Sequence, residues 1–308
     1  MKPTEIIAVI DVGSNTIRIL IGKLQKDKII KIYHDRAVTQ LGKNINTTKR
    51  LNNNSIEKSI KIIKKFKAIA EEFNSTEIIA IGTSALRESL DGQDFCNKVR
   101  EESGLSLKII TGNQEAYYML EGIVAGLKVQ KKELFAIDIG GGSTEWIYLD
   151  GQEILKGSIP SGALRDYKIF FKSDPPLQFE IENFYQDLRK KIEKNIPLLR
   201  INKIYVTGGT ATTIAMIEKK LDFYSSEDVH LTKISIKNLK SIFSKISKIP
   251  VNSRKNIAGL TQDRAGIIIP GIIIMDSICE YVKAKEIIVS DYGLMEGIMK
   301  NYKDFCYN

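Results

Sequence analysis

Asp138 and Glu145 stand on either side of three consecutive glycines in "AIDIGGGSTEWIYLD", residues 136 to 150. A Gly-Gly-Gly run is costly within a regular element, because glycine loses the most conformational freedom on folding. Its usual cause is a turn where backbone comes close to a partner, often a phosphate that accepts from successive N–H groups. The two carboxylates together fit a hard cation. Magnesium binds through one or two carboxylates plus phosphate oxygens and keeps several waters. A structural salt bridge is the competing reading of Glu145.

The pattern occurs twice. "AVIDVGSNTIRIL" (8 to 20) and "AIDIGGGSTEWIYL" (136 to 149) share apolar-Asp-apolar-Gly, a small polar turn and an apolar strand. Asp11 and Asp138 lie 127 residues apart, as do Gly13 and Gly140. On the same offset "IIAIGTSA" (78 to 85) falls on "YVTGGTAT" (205 to 212), with Gly82 over Gly209 and Thr83 over Thr210. Two motif pairs on one offset indicate a duplicated domain. Under this repeat Arg18 falls on Glu145, so the first copy offers a cation suited to a substrate anion. The turns "DVGSNT" and "DIGGGST" are expected to cradle phosphate from opposite walls of a cleft.

These turns need strands to hold them. Each half reads as α/β. Strands are expected at 5–11, 16–24 and 28–38, then an amphipathic helix near 54–73. In that helix Ile56, Ile60, Ile63, Phe66, Ile69 and Phe73 form a core stripe and the lysines a solvated face. A strand at 77–81, a helix near 92–103, a strand at 107–110 and a helix near 114–126 follow. The second half restarts at 133–138, with strands near 143–149 and 153–159, and "SDPPLQ" (173 to 178) breaks the chain before a helix near 178–194. A strand at 203–206 leads into a helix from Thr210, and a strand at 286–289 precedes a closing helix. The expected domains are 1–128 and 129–308, with a hinge near 127–132 and the last helix packing back on the first domain.

Composition narrows the chemistry. At 308 residues with a 43% apolar fraction, the chain is globular and sized for two domains. The net charge of +9 fits a solvated lysine surface or attraction to a polyanion. Two histidines cannot supply a multi-histidine metal cluster, and three cysteines without CxxC spacing point to a reducing compartment. "GIIIPGIIIM" (266 to 275) is far too short to span a bilayer and is interrupted by Pro270. The expectation is a soluble cytoplasmic protein with no membrane segment. Neither a GxxxxGK[ST] loop nor a GxGxxG fingerprint is present, so phosphate handling falls to the duplicated turns.

With these motifs assembled, the sequence resembles the exopolyphosphatase and guanosine pentaphosphate phosphatase family, part of the actin, Hsp70 and sugar kinase superfamily. The resemblance rests on "DVGSNTIR" (11 to 18), "GTSALRES" (82 to 89), "TGNQEA" (111 to 116) and "DIGGGSTE" (138 to 145). It continues in "IPSGALR" (159 to 165), "VTGGTATTIA" (206 to 215) and "EIIVSDYGLMEGIM" (286 to 299). It implies duplicated ribonuclease H-like α/β domains flanking an interdomain cleft. It makes Glu115 the catalytic carboxylate that deprotonates water, and Asp138 and Glu145 the ligands of Mg²⁺, with Mn²⁺ as the alternative. Substrate phosphates would meet Ser14, Asn15, Thr16, Arg18, Ser84 and Arg87 on one wall. Gly140, Gly141, Gly142, Ser143, Gly208, Gly209 and Thr210 would meet them on the other. Arg165 also matches a family arginine. The sequence departs from the family at Gln114, where an acid is common, and at Gly266 in "DRAGIIIPG".

The implied activity is Mg-dependent hydrolysis of the terminal phosphoanhydride of inorganic polyphosphate, releasing orthophosphate. Guanosine pentaphosphate hydrolysis, a non-catalytic phosphate sensor and an ATP-dependent small-molecule kinase are the alternatives. The basic charge shows no RNA-binding motif or aromatic stripe, so no nucleic-acid partner is expected. A homodimer is expected from the resemblance.

Overall fold

The computed structural model describes residues 5–25, 28–43, 45–127, 133–151 and 153–306. Most of the expected hinge, residues 128–132, lies outside them. The chain divides into two compact units, Met1–Lys128 with Tyr292–Asn308, and Val129–Asp291. Residues 292–308, set with the second domain above, thus cluster with the first unit.

The first unit runs β1 (Glu5–Val12), β2 (Thr16–Gln25), β3 (Lys28–Val38), α1 (Ile45–Thr48), α2 (Asn53–Glu72), β4 (Glu77–Gly82), α3 (Ser84–Glu88), α4 (Gly92–Ser103), β5 (Leu107–Ile109) and α5 (Gly112–Leu127). Its sheet has the order β3-β2-β1-β4-β5. The first three strands form an antiparallel meander, and β1, β4 and β5 are parallel. The central strand β1 is covered on both faces, so Ile7, Ala8, Val9 and Ile10 are all buried, as an unbroken apolar run requires. On α2, Ile60, Ile63 and Phe66 are buried while Lys58, Lys61, Lys64 and Lys65 face solvent, as their spacing predicts. Asn52 caps this helix, its side chain accepting from the Ser55 N–H at 3.1 Å.

The second unit runs β6 (Glu133–Ile139), β7 (Thr144–Asp150), β8 (Glu153–Ile159), α6 (Ala163–Phe170), α7 (Gln178–Asn195), β9 (Lys203–Thr207), α8 (Gly208–Lys219), α9 (Ser226–Val229), β10 (Lys233–Ser235), α10 (Ile236–Ile246), α11 (Val251–Arg254), α12 (Gln262–Ala265), α13 (Ile268–Tyr281) and β11 (Glu286–Val289). Its sheet has the order β10-β11-β9-β6-β7-β8. The β6-β7-β8 meander repeats β1-β2-β3, and β9 joins β6 in parallel as β4 joins β1. Pro270 does not interrupt its apolar stretch, contrary to the sequence reading. It falls in the first turn of α13, where a missing N–H costs no helical hydrogen bond. That helix is buried on nearly every side from Ile268 to Met275, which explains its lack of a polar face. Among the described residues no helix is long and apolar enough to cross a membrane.

The chain closes with α14 (Leu294–Lys300) and α15 (Lys303–Cys306). Helix α14 lies against α5 through bare backbone. A Cβ on Gly122 would overlap the Gly293 carbonyl, and one on Gly297 would overlap the Tyr118 carbonyl. Close approach lets Leu294, Ile298 and Met299 join Ile7, Val9 and Leu20 in one core. Gly122→Ala or Gly297→Ala should therefore cost about 1–3 kcal/mol or more in urea unfolding, because backbone must move to admit the methyl. Gly266→Ala is the control. Its nearest neighbour is the Tyr167 ring at 3.8 Å, so it should unfold at the wild-type midpoint or above.

Candidate functional site

In the second unit the β6–β7 hairpin sets Asp138 directly opposite Glu145 and Ile139 opposite Thr144. The turn closes with the Gly140 N–H donating to the Ser143 carbonyl at 3.0 Å. Like charges facing each other across a strand pair repel. Asp138 and Glu145 are 6% and 1% exposed, so water screens that repulsion little. Ser143 Oγ and Ser158 Oγ donate to Glu145 Oε1 at 2.7 and 2.8 Å, which fixes the orientation of the carboxylate. Two oriented, buried carboxylates suit a hard divalent cation in donor type and number.

Asp138 leans on the start of α8. Gly208 takes a positive φ of 86°, and a Cβ there would overlap Asp138 Oδ1, so the position favours glycine twice over. The first N–H groups of α8 have no acceptor within the helix, and this end carries the positive pole of the helix dipole. Gly208, Gly209 and Thr210 thus open α8 beside a carboxylate pair, with the N–H groups and dipole end that suit an anion. The Arg264 guanidinium packs on Gly209 so closely that a Cβ would overlap it. The Thr210 side chain is 2% exposed and lies against Gly271 of α13.

The glycine triplet has a second structural cause. The Gly140 carbonyl accepts from the Ala163 N–H, and the Gly141 carbonyl from those of Leu164 and Arg165, each at 2.9 Å. The loop thereby satisfies the first N–H groups of α6. Gly162 packs flat on it, where a Cβ would fall 2.6 Å from Gly142 C and Ser143 N. In a trans peptide the carbonyl and the next N–H point opposite ways. With the Gly140 and Gly141 carbonyls turned to α6, the N–H groups of Gly141 and Gly142 are turned away from it.

The first unit repeats the hairpin with another charge pattern. Asp11 stands opposite Arg18, and the Gly13 N–H donates to the Thr16 carbonyl at 3.1 Å. Arg18 Nε donates to Asp11 Oδ2 at 2.9 Å, and Nη2 reaches the same oxygen. Arg18 keeps 31% of its side chain exposed, so part of the cation still faces solvent. Ser14, Asn15 and Thr16 are buried, with the Ser14 carbonyl accepting from Gly42 at 2.9 Å and the Asn15 carbonyl from Thr39 and Gln40 at 3.0 Å. Arg87, on α3, donates from Nη1 to the Ile110 carbonyl at 2.9 Å and to Glu115 Oε2 at 3.0 Å. The carboxylate and the arginine singled out separately in the sequence are therefore an ion pair. Ser84 donates its hydroxyl to Glu88 Oε1 at 2.7 Å, which engages that proton within α3.

The structure thus gathers Asp138, Glu145, Gly140–Ser143 and Gly208–Thr210 in one unit, and Ser14–Thr16, Arg18, Ser84, Arg87 and Glu115 in the other. Arg165 is 8% exposed and joins the glycine loop through its backbone. Sequence reasoning missed Ser158 and Arg264. The Ser158 signal was strand pairing, since it stands opposite Glu145 on β8. Arg264 lay in "DRAG", a stretch marked only for its glycine.

The sequence profile of the Ppx/GppA phosphatase family matches residues 20–304. A "Bifunctional 3-dehydroquinate synthase/phosphatase" of Fusobacterium nucleatum is 31% identical over 96% of this chain, which spans only 46% of that relative. The "Exopolyphosphatase 2" of Mycobacterium tuberculosis is 22% identical over 95% of this chain and 97% of its own length. The crystal structure of the Aquifex aeolicus Ppx/GppA family member superposes with a TM-score of 0.84 at 30% identity, covering 99% of this chain and 100% of that one. Two mixed sheets flanked by helices, each led by an Asp-x-Gly hairpin, are the two-domain actin-like architecture of these neighbours. Matched in profile and fold over nearly its whole length, the chain belongs to the Ppx/GppA phosphatase family.

Proposed function

We propose that the protein is an exopolyphosphatase that removes the terminal phosphoryl group of inorganic polyphosphate as orthophosphate. The reading is carried by the opposed Asp138–Glu145 pair beside the α8 start, a buried double negative charge next to anion-binding backbone. Such a pair is suited to hold Mg²⁺, which when bound neutralises phosphate charge and polarises the phosphorus. The Gly140–Ser143 loop and Gly208–Thr210 supply N–H donors for phosphate oxygens, and Arg264 adds a cation. On the first unit, Arg18, Arg87 and the Ser14–Thr16 turn offer cations and polar groups of the kind a phosphate chain takes. Glu115 takes the proton of the attacking water as oxygen bonds to the terminal phosphorus. The bond to the bridging oxygen breaks, and the shortened chain departs with that oxygen. Arg87, paired with Glu115 at 3.0 Å, holds the base in position. The net charge of +9 favours a polyanion, and the Mycobacterium tuberculosis relative bears the exopolyphosphatase name.

Orthophosphate release from polyphosphate, guanosine pentaphosphate and ATP, each with Mg²⁺, tests the reading. Release from polyphosphate is the expected result. Release from guanosine pentaphosphate alone would reassign the substrate, and binding without release would make the protein a sensor. Glu115→Gln, isosteric and uncharged, should lower kcat by about 10²-fold or more with an unchanged circular dichroism spectrum. Glu145→Gln should leave the fold intact but raise the Mg²⁺ concentration for half-maximal rate by at least about tenfold. A magnesium titration at saturating substrate measures this, and an unchanged midpoint would remove Glu145 from the metal site.

A further inference from the structure

Asp166 is the most completely buried carboxylate near the glycine loop, at 0% exposure, and nothing above assigns it a role. It sits in the first turn of α6. Its Oδ2 accepts from the Gly162 N–H at 2.9 Å and from the Ser161 hydroxyl. Lys191 of α7 approaches Oδ1 at 3.8 Å and also pairs with Asp187 at 2.7 Å, while Arg165 is the neighbouring charge on its own helix. A single carboxylate thus holds both residues of the corner that leads into α6.

That corner carries the glycine loop. Gly162 packs on the Gly142–Ser143 peptide. The Ser161 carbonyl accepts from Thr144 Oγ1 at 2.7 Å, at the start of β7. The N–H groups of Ala163, Leu164 and Arg165, just past the corner, hold the Gly140 and Gly141 carbonyls. Glycine offers no side chain to lock a turn, so the loop takes its shape from what it rests on. We propose that Asp166 is a positioning residue for the phosphate loop, anchoring the Ser161–Gly162 corner so that the Gly141 and Gly142 N–H groups keep a fixed aim. The proposal rests on the phosphate-binding reading of that loop.

The electrostatics set how its contribution to stability changes with pH. Burial pushes the Asp166 carboxyl up to about 6, against the lowering effects of Ser161, Lys191, Arg165 and Gly162. With its folded pKa above the unfolded one, the group favours folding while protonated. That contribution is full below about pH 4 and is lost as pH rises to about 6. At neutral pH the ionised carboxylate therefore costs stability.

Hydrogen exchange of the 140–144 amides in the intact protein, compared between wild type and Asp166→Asn, reads the positioning without any substrate. Faster exchange in this segment, with the melting temperature at pH 8 unchanged or raised, is the expected result. In polyphosphate hydrolysis the KM should rise by up to about tenfold, the factor for exchanging charge-assisted for neutral hydrogen bonds at the corner, with a smaller change in kcat. Ser161→Ala, which removes one of the two donors, should move both readouts in the same direction by less. Wild-type exchange in both folded variants would overturn the proposal. Absence of polyphosphate hydrolysis in the wild type would instead overturn the proposed function, and the exchange comparison would still decide the role of Asp166.

Discussion

Everything at this site depends on the register of a β-hairpin. An Asp-x-Gly turn closed by one N–H-to-carbonyl hydrogen bond puts the residue seven positions after the aspartate directly across from it. The fold builds this hairpin twice with nearly identical closure, 3.1 Å in the first unit and 3.0 Å in the second. Where position seven is arginine, the carboxylate is neutralised within the protein. Where it is glutamate, two buried carboxylates stand opposite each other, a donor set of the type a hard cation takes. One difference between the duplicated copies thus gives one hairpin an internal ion pair and the other a carboxylate pair.

The glycines give this arrangement room. Gly208 admits the Asp138 carboxylate and Gly209 the Arg264 guanidinium, while Gly140 and Gly141 turn their carbonyls to α6. Each close approach places a charge or a dipole where a side chain would otherwise stand. The same device works away from the chemistry, where Gly122 and Gly297 bring α5 and α14 into backbone contact and complete the first core. Glycine in this chain is thus a packing residue as much as a turn residue.

Charge pairing within the first unit has a corresponding logic. Arg87 grips both the Ile110 carbonyl and Glu115, so a long cationic side chain and a buried carboxylate hold each other in one place. For chemistry that relies on positioning and charge rather than covalent intermediates, such prior fixing matters more than the strength of any one contact. Arg18 shares itself between Asp11 and solvent, keeping about a third of its side chain exposed.

Sequence alone determined the duplication, every strand but β10 and the helices α2, α4, α5, α7, α8 and α14, because strand alternation, helical stripes and a 127-residue offset are local or periodic properties. The edge strand β3 and helix α4 fall where their patterns placed them, at 28–38 and 92–103. Helix α6 was illegible, since eight residues span too little to show a period. Pro270 was misread because its harmless place in a first turn depends on where α13 begins, which no single residue states. At the site, the Asp, Glu and Gly types pointed to metal and phosphate, but only the tertiary structure paired Arg87 with Glu115, seated Arg264 on Gly209 and set Ser158 on Glu145. Those contacts join residues 28, 55 and 13 positions apart, the first two through helices and turns and the third across a strand pair. Chain folding sets such distances, and no local pattern encodes them.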